Sequence, residues 1–107
     1  MKLIVAIVSG DDSSKVSRAL TKSGFPVTKL ATTGGFLMAG NTTFIIGIED
    51  EKVAQAIDVI GQNSKTRNQL VPTSASHGVG MFSSMPMEVQ VGGATIFVLD
   101  VEQFVKI

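Results

Sequence analysis

Leu3-Ile4-Val5-Ala6-Ile7-Val8, followed at once by Ser9-Gly10-Asp11-Asp12-Ser13, is the stretch that decides the fold. A continuous, partly β-branched apolar run of strand length suits a central strand covered on both faces. The short polar residues after it can cap a helix N-terminus, and Val16, Ala19 and Leu20 follow at i, i+3 and i+4. Gly24 stands where a C-cap glycine belongs, with Pro26 beyond it as a stop. Residues 27–32 then read as a second strand, which completes a strand–helix–strand unit.

A second unit repeats this plan without sequence identity. Residues 42–48 are strand-like, Asp50 is placed to cap, and Val53, Ile57 and Ile60 lie at helical spacing up to Gly61. Residues 87–91 and 94–99 read as two strands of a hairpin around Gly92-Gly93, because glycine supplies the positive φ that tight hairpin turns require. The order predicts an α+β fold: a ferredoxin-like βαββαβ sandwich with an extra C-terminal hairpin strand. Both helices then cover one face of an antiparallel sheet, and the other face lies bare.

The last strand is apolar on both alternations, with Ile96 and Val98 on one side and Phe97 and Leu99 on the other. Two apolar faces need two covers, and the helices supply only one. At about 25 cal/mol per Å² of apolar area, several such side chains left in water forfeit several kcal/mol. A homo-oligomer is therefore expected.

The 107 residues fit one domain, with 44% hydrophobic and 17% charged residues, a composition foreign to disordered chains. Nine basic residues balance nine acidic ones, so no basic face is expected for a nucleic-acid polymer. The first apolar run is too short for a secretory core or a membrane span, which predicts a cytoplasmic protein with no membrane partner. Cysteine is absent, which excludes thiol nucleophiles, disulfides and Cys-ligated metals.

Catalytic groups are scarce. His77, the single histidine, sits in Ser74-Ala75-Ser76-His77-Gly78 and reads as a solvated loop side chain. Asp11, Asp12, Glu49, Asp50 and Glu51 cluster at the expected helix starts, where the helix dipole favours them. No paired carboxylate, Ser-His-Asp set or metal-ligand spacing stands out, so no enzyme and no cofactor is expected. Walker A and dinucleotide fingerprints are absent as well. Binding is better supported: Gly34-Gly35 allows close backbone approach, beside the large apolar Phe36 and Leu37. Composition leaves open whether Phe36 meets a ligand, the core or a neighbouring subunit. Residues 63–85, rich in Ser, Thr, Gly and Asn, read as a long connection, well above the usual loop length of about 4 to 6 residues.

Thr28-Lys29-Leu30-Ala31-Thr32-Thr33-Gly34-Gly35-Phe36-Leu37, then Ala39-Gly40-Asn41-Thr42-Thr43, resembles the hallmark of the bacterial PII-like receptors for cyclic di-AMP. Further similarity lies in Arg67-Asn68-Gln69-Leu70-Val71 and in Glu88-Val89-Gln90-Val91-Gly92-Gly93-Ala94-Thr95-Ile96-Phe97-Val98. The resemblance spans nearly the whole chain, residues 1–107, as a single receptor domain. It implies a homotrimer with ligand in clefts between subunits, a T-loop at 33–41, a B-loop at 63–85, and a downstream protein still to be identified. By position, Thr28 and Asn41 would hydrogen-bond an adenine edge, the backbone of Gly35, Phe36 and Leu37 would line the ligand, and Gly47 would admit the base. Where such receptors tend to carry Asn and Arg before Thr28, this chain has Gly24 and Pro26. That departure leaves a second expectation: another adenine nucleotide, or an interaction module without cyclic di-AMP.

Overall fold

In the computed structural model, which describes residues 1–31, 40–72 and 86–107, the chain forms β1 (Lys2–Ser9), α1 (Ser13–Lys22), β2 (Thr28–Ala31), β3 (Asn41–Ile48), α2 (Val53–Gln62), β4 (Arg67–Pro72), β5 (Pro86–Val91) and β6 (Ala94–Asp100). The strands make a four-stranded sheet of order β2-β3-β1-β6, antiparallel throughout, and a separate antiparallel ribbon β4-β5. The opening apolar run is thus a central strand. Its period-2 pattern sends Ile4, Ala6 and Val8 to the helix side, where they are fully buried with Phe44 and Ile46 of β3. Val16 and Leu20 of α1, with Ala56 and Ile60 of α2, close this core from above.

The first helix ends as its sequence predicts. Phe25 N–H donates to Leu20 O and Gly24 N–H to Thr21 O, both at 3.0 Å, with Gly24 at φ +87°. This paired closure satisfies two orphan carbonyls and needs a left-handed residue at position 24. At the start, Ser9 Oγ accepts from Asp11 N–H at 3.3 Å in a single 3-10 turn that leads into α1.

Three expectations need correction. Residues 87–91 and 94–99 do not pair with each other: β5 pairs with β4, and β6 adds to β1. Gly92 and Gly93 do take positive φ, +84° and +87°, but Gly93 N–H donates to Ser64 O and the chain passes from ribbon to sheet. Second, residues 67–72 of the long connection form β4. Third, Asp50 makes no capping bond to α2; it lies in a preceding 3-10 turn with its carboxylate 3.0 Å from the Met1 nitrogen. Nor does Asp12 cap α1, for reasons that appear with the site.

Candidate functional site

The register places one side-chain row of each strand on the sheet face away from the helices. One rung across the four strands reads Thr28, Ile45, Val5, Phe97, and the next toward one end reads Gly47, Leu3, Leu99. On the other side of the first rung lies Leu30, Thr43, Ile7, Thr95. Leu30, Phe97 and Leu99 are 45%, 52% and 49% exposed, so the bare apolar face expected from β6 exists in the single chain.

At one end of this face runs a groove of about 610 Å³. Thr28 and Gly47, singled out separately in the sequence, both line it, with Leu3, Ile45 and Pro26 around them. An ideal Cβ on Gly47 meets no atom of the described residues within 4 Å, so their packing does not need glycine at this position. What glycine does here is leave the groove floor open. Phe104 and Lys106, beyond β6, form the opposite wall, and Phe104 is 63% exposed. Sequence reasoning passed over both. The available signal was a large aromatic after the last strand that no strand or helix pattern needed.

Asn41 belongs to the same sheet face but not to this groove. It stands opposite Ser9 at the start of β3, six residues from Gly47, or about 20 Å at the usual rise per strand residue. There it lines a second hollow with Ser9, Thr66, Gly92, Gly93 and Thr95. Gly35, Phe36, Leu37 and His77 lie outside the described residues, as do 33–39 of the expected T-loop and 73–85 of the expected B-loop.

An ion pair ties the β4-β5 ribbon to the helix layer. Arg67 Nη2 donates to Asp12 Oδ1 at 2.9 Å and Nη1 to Oδ2 at 3.3 Å, a two-pronged contact that charge makes stronger than neutral bonds. Asp12 is buried, whereas the Arg67 side chain is half-exposed. Nη1 also donates to Lys65 O at 3.1 Å. The hydrogen bond to Asp12, then its charge, raises the Arg67 pKa above its ordinary value, so the guanidinium is permanently a cation. Gly92 completes the junction: a Cβ there would stand 2.6 Å from both Arg67 Nη1 and Lys65 O.

Among the described residues no group of three or more His, Cys, Asp or Glu could hold a metal ion, and no helix is long and apolar enough to cross a membrane. The fold has solved relatives. A structure of a protein from Pediococcus pentosaceus, described as functionally unknown, is 42% identical, with 99% of this chain and 96% of that one covered at a TM-score of 0.75. A structure of Arabidopsis thaliana PII bound to citrate shares the fold at a TM-score of 0.63 and 21% identity, over 99% of this chain and 79% of that one. The model of the cyclic-di-AMP receptor family matches residues 1–107, the length over which the hallmark strings, the PII-like sandwich and the Thr28–Gly47 groove occur, and the chain belongs to that family.

Proposed function

We propose that the protein binds cyclic di-AMP in clefts between the subunits of a homotrimer and signals by changing the conformation of the 33–41 and 63–85 connections. Membership in a receptor family makes it a PII-like, non-enzymatic signal-transduction protein. The observation that carries the ligand reading is the convergence of Thr28 and Gly47 on one groove whose floor glycine keeps open. The Thr28 hydroxyl can donate to and accept from a purine edge, while Leu3, Ile45 and Phe104 supply apolar surface for the base. Asn41, Gly35, Phe36 and Leu37 complete the contact set in this reading. The separation of Asn41 from Gly47 suits a two-base ligand, or one shared by two subunits, better than a single nucleoside.

Phosphate recognition distinguishes the second reading, another adenine nucleotide. Gly24 is committed to closing α1, and Pro26 lines the groove without a donor for phosphate. Among the described residues, Lys106 is the one basic side chain on the groove. Isothermal titration tests both readings at the groove: saturable heat with cyclic di-AMP that Gly47→Val removes, and no Gly47-dependent heat with AMP or ATP, is the expected result. No heat above buffer with cyclic di-AMP up to high micromolar ligand would remove this ligand.

Subunit assembly rests on the uncovered rungs. Phe97→Glu puts a charge on the apolar face along edge strand β6, and burying an unpaired carboxylate in an interface costs several kcal/mol. Sedimentation is expected to show trimers for the unaltered protein and monomers for the variant at micromolar concentration. A monomeric unaltered protein would refute the trimer.

A further inference from the structure

The charges of this neutral chain are sorted along it. Residues 13–48 hold Lys15, Arg18, Lys22 and Lys29 and no acidic residue at all. Two of these cations meet. Ser14, Ser17 and Arg18, at i, i+3 and i+4 on α1, line one hollow of about 410 Å³ with Lys29 of β2.

Nothing in the described protein occupies these four side chains. No carboxylate lies within 4 Å of Arg18 or Lys29, and neither serine hydroxyl makes a side-chain hydrogen bond among the described residues. The serines are also poor choices for helix stability, since alanine is the better helix former at both positions. Lys29 pairs across with the fully buried Phe44, so it leaves the core side of edge strand β2 and carries its charge to the rim beside α1. An inward charge on an edge strand deters sheet-to-sheet association. That role needs neither Arg18 nor the two hydroxyls.

We infer that Ser14, Ser17, Arg18 and Lys29 form a second binding site, for a phosphate monoester dianion. A guanidinium fork, an ammonium and two hydroxyls are donors that a tetrahedral dianion can engage together, whereas a planar carboxylate would use fewer. The site is separate from the groove at Gly47, because Lys29 and Thr28 point to opposite faces of β2. It therefore stands or falls independently of the cyclic di-AMP reading.

Titration of inorganic phosphate into the ¹⁵N-labelled protein at constant ionic strength tests the site. Saturable amide shifts centred on Ser14, Ser17, Arg18 and Lys29 are expected. Arg18→Ala with Lys29→Ala is expected to weaken them at least about tenfold, through loss of the charge-assisted donors. Lys15→Ala with Lys22→Ala should leave them unchanged. Parallel arms with AMP and with a phosphoserine peptide identify the carrier, as the tighter of the two, or free phosphate if neither exceeds it. Linear shifts without saturation, equal shifts with acetate, or phosphate binding that survives loss of Arg18 and Lys29 would overturn the proposal.

Discussion

Gly47→Val is expected to abolish most cyclic di-AMP binding while leaving the fold intact or slightly more stable. The position lies in β3, its φ is not in the left-handed region, and an added Cβ meets nothing within 4 Å among the described residues. Exchanging a strand glycine for a β-branched residue there gains about 0.5–1 kcal/mol in backbone entropy and strand preference. The same side chain rises into the groove that Thr28, Ile45 and Phe104 share. Overfilling a fitted contact costs about 1–3 kcal/mol, which is about 5- to 150-fold in affinity. Calorimetric titration reads the affinity, and the urea midpoint reads the stability. Unchanged affinity in a stable Gly47→Val protein would place the ligand elsewhere.

The second large effect is on stability. Arg67→Ala leaves the buried Asp12 carboxylate without its two donors, at an expected cost of about 2–3 kcal/mol by the usual penalty for unpaired charged groups. Arg67→Lys should recover only part of this, because an ammonium cannot present two parallel N–H groups to one carboxylate. Replacing Asp12 and Arg67 together by Ala should be less damaging than Arg67→Ala alone, since no charge is then left unpaired. Urea unfolding of the unaltered protein, Asp12→Ala, Arg67→Ala and the double variant gives the coupling energy. Amide exchange adds a local reading: protection in β4 and β5 should fall in Arg67→Ala more than in β1 or β3. A double variant as unstable as the sum of its parts would mean that the fork does not hold the ribbon.

These two positions mark the boundary of what was legible in the residues. Gly47 was expected as a place of close approach only through the family resemblance, carried over by position. Its partner wall was not, because Phe104 joins Thr28 only when residues beyond β6 fold back along the sheet. Asp12 stands at the start of α1, as its sequence position implied, but makes no capping bond there. Its carboxylate lies within reach of a guanidinium that arrives from 55 residues away. Gly92-Gly93 shows the same division within two residues. Their positive φ followed from the glycine pair, whereas their hairpin did not form, since β5 found β4 and β6 found β1.

Local chemistry and periodicity were sufficient for the strands and helices of both units and for the Gly24 closure of α1. They also carried the inference that β6 exposes a second apolar face, since alternation along a strand is fixed by covalent geometry. Only the tertiary structure decided which strands pair, that β4-β5 stands apart from the main sheet, and that Arg67 belongs to Asp12. It alone put Thr28 and Gly47 in one groove and left Asn41 at the far end of β3. The reason is physical: φ, side-chain direction and capping depend on neighbours in the chain, whereas pairing and site assembly depend on contacts between residues remote in sequence, whose choice is made by the packing of the whole domain.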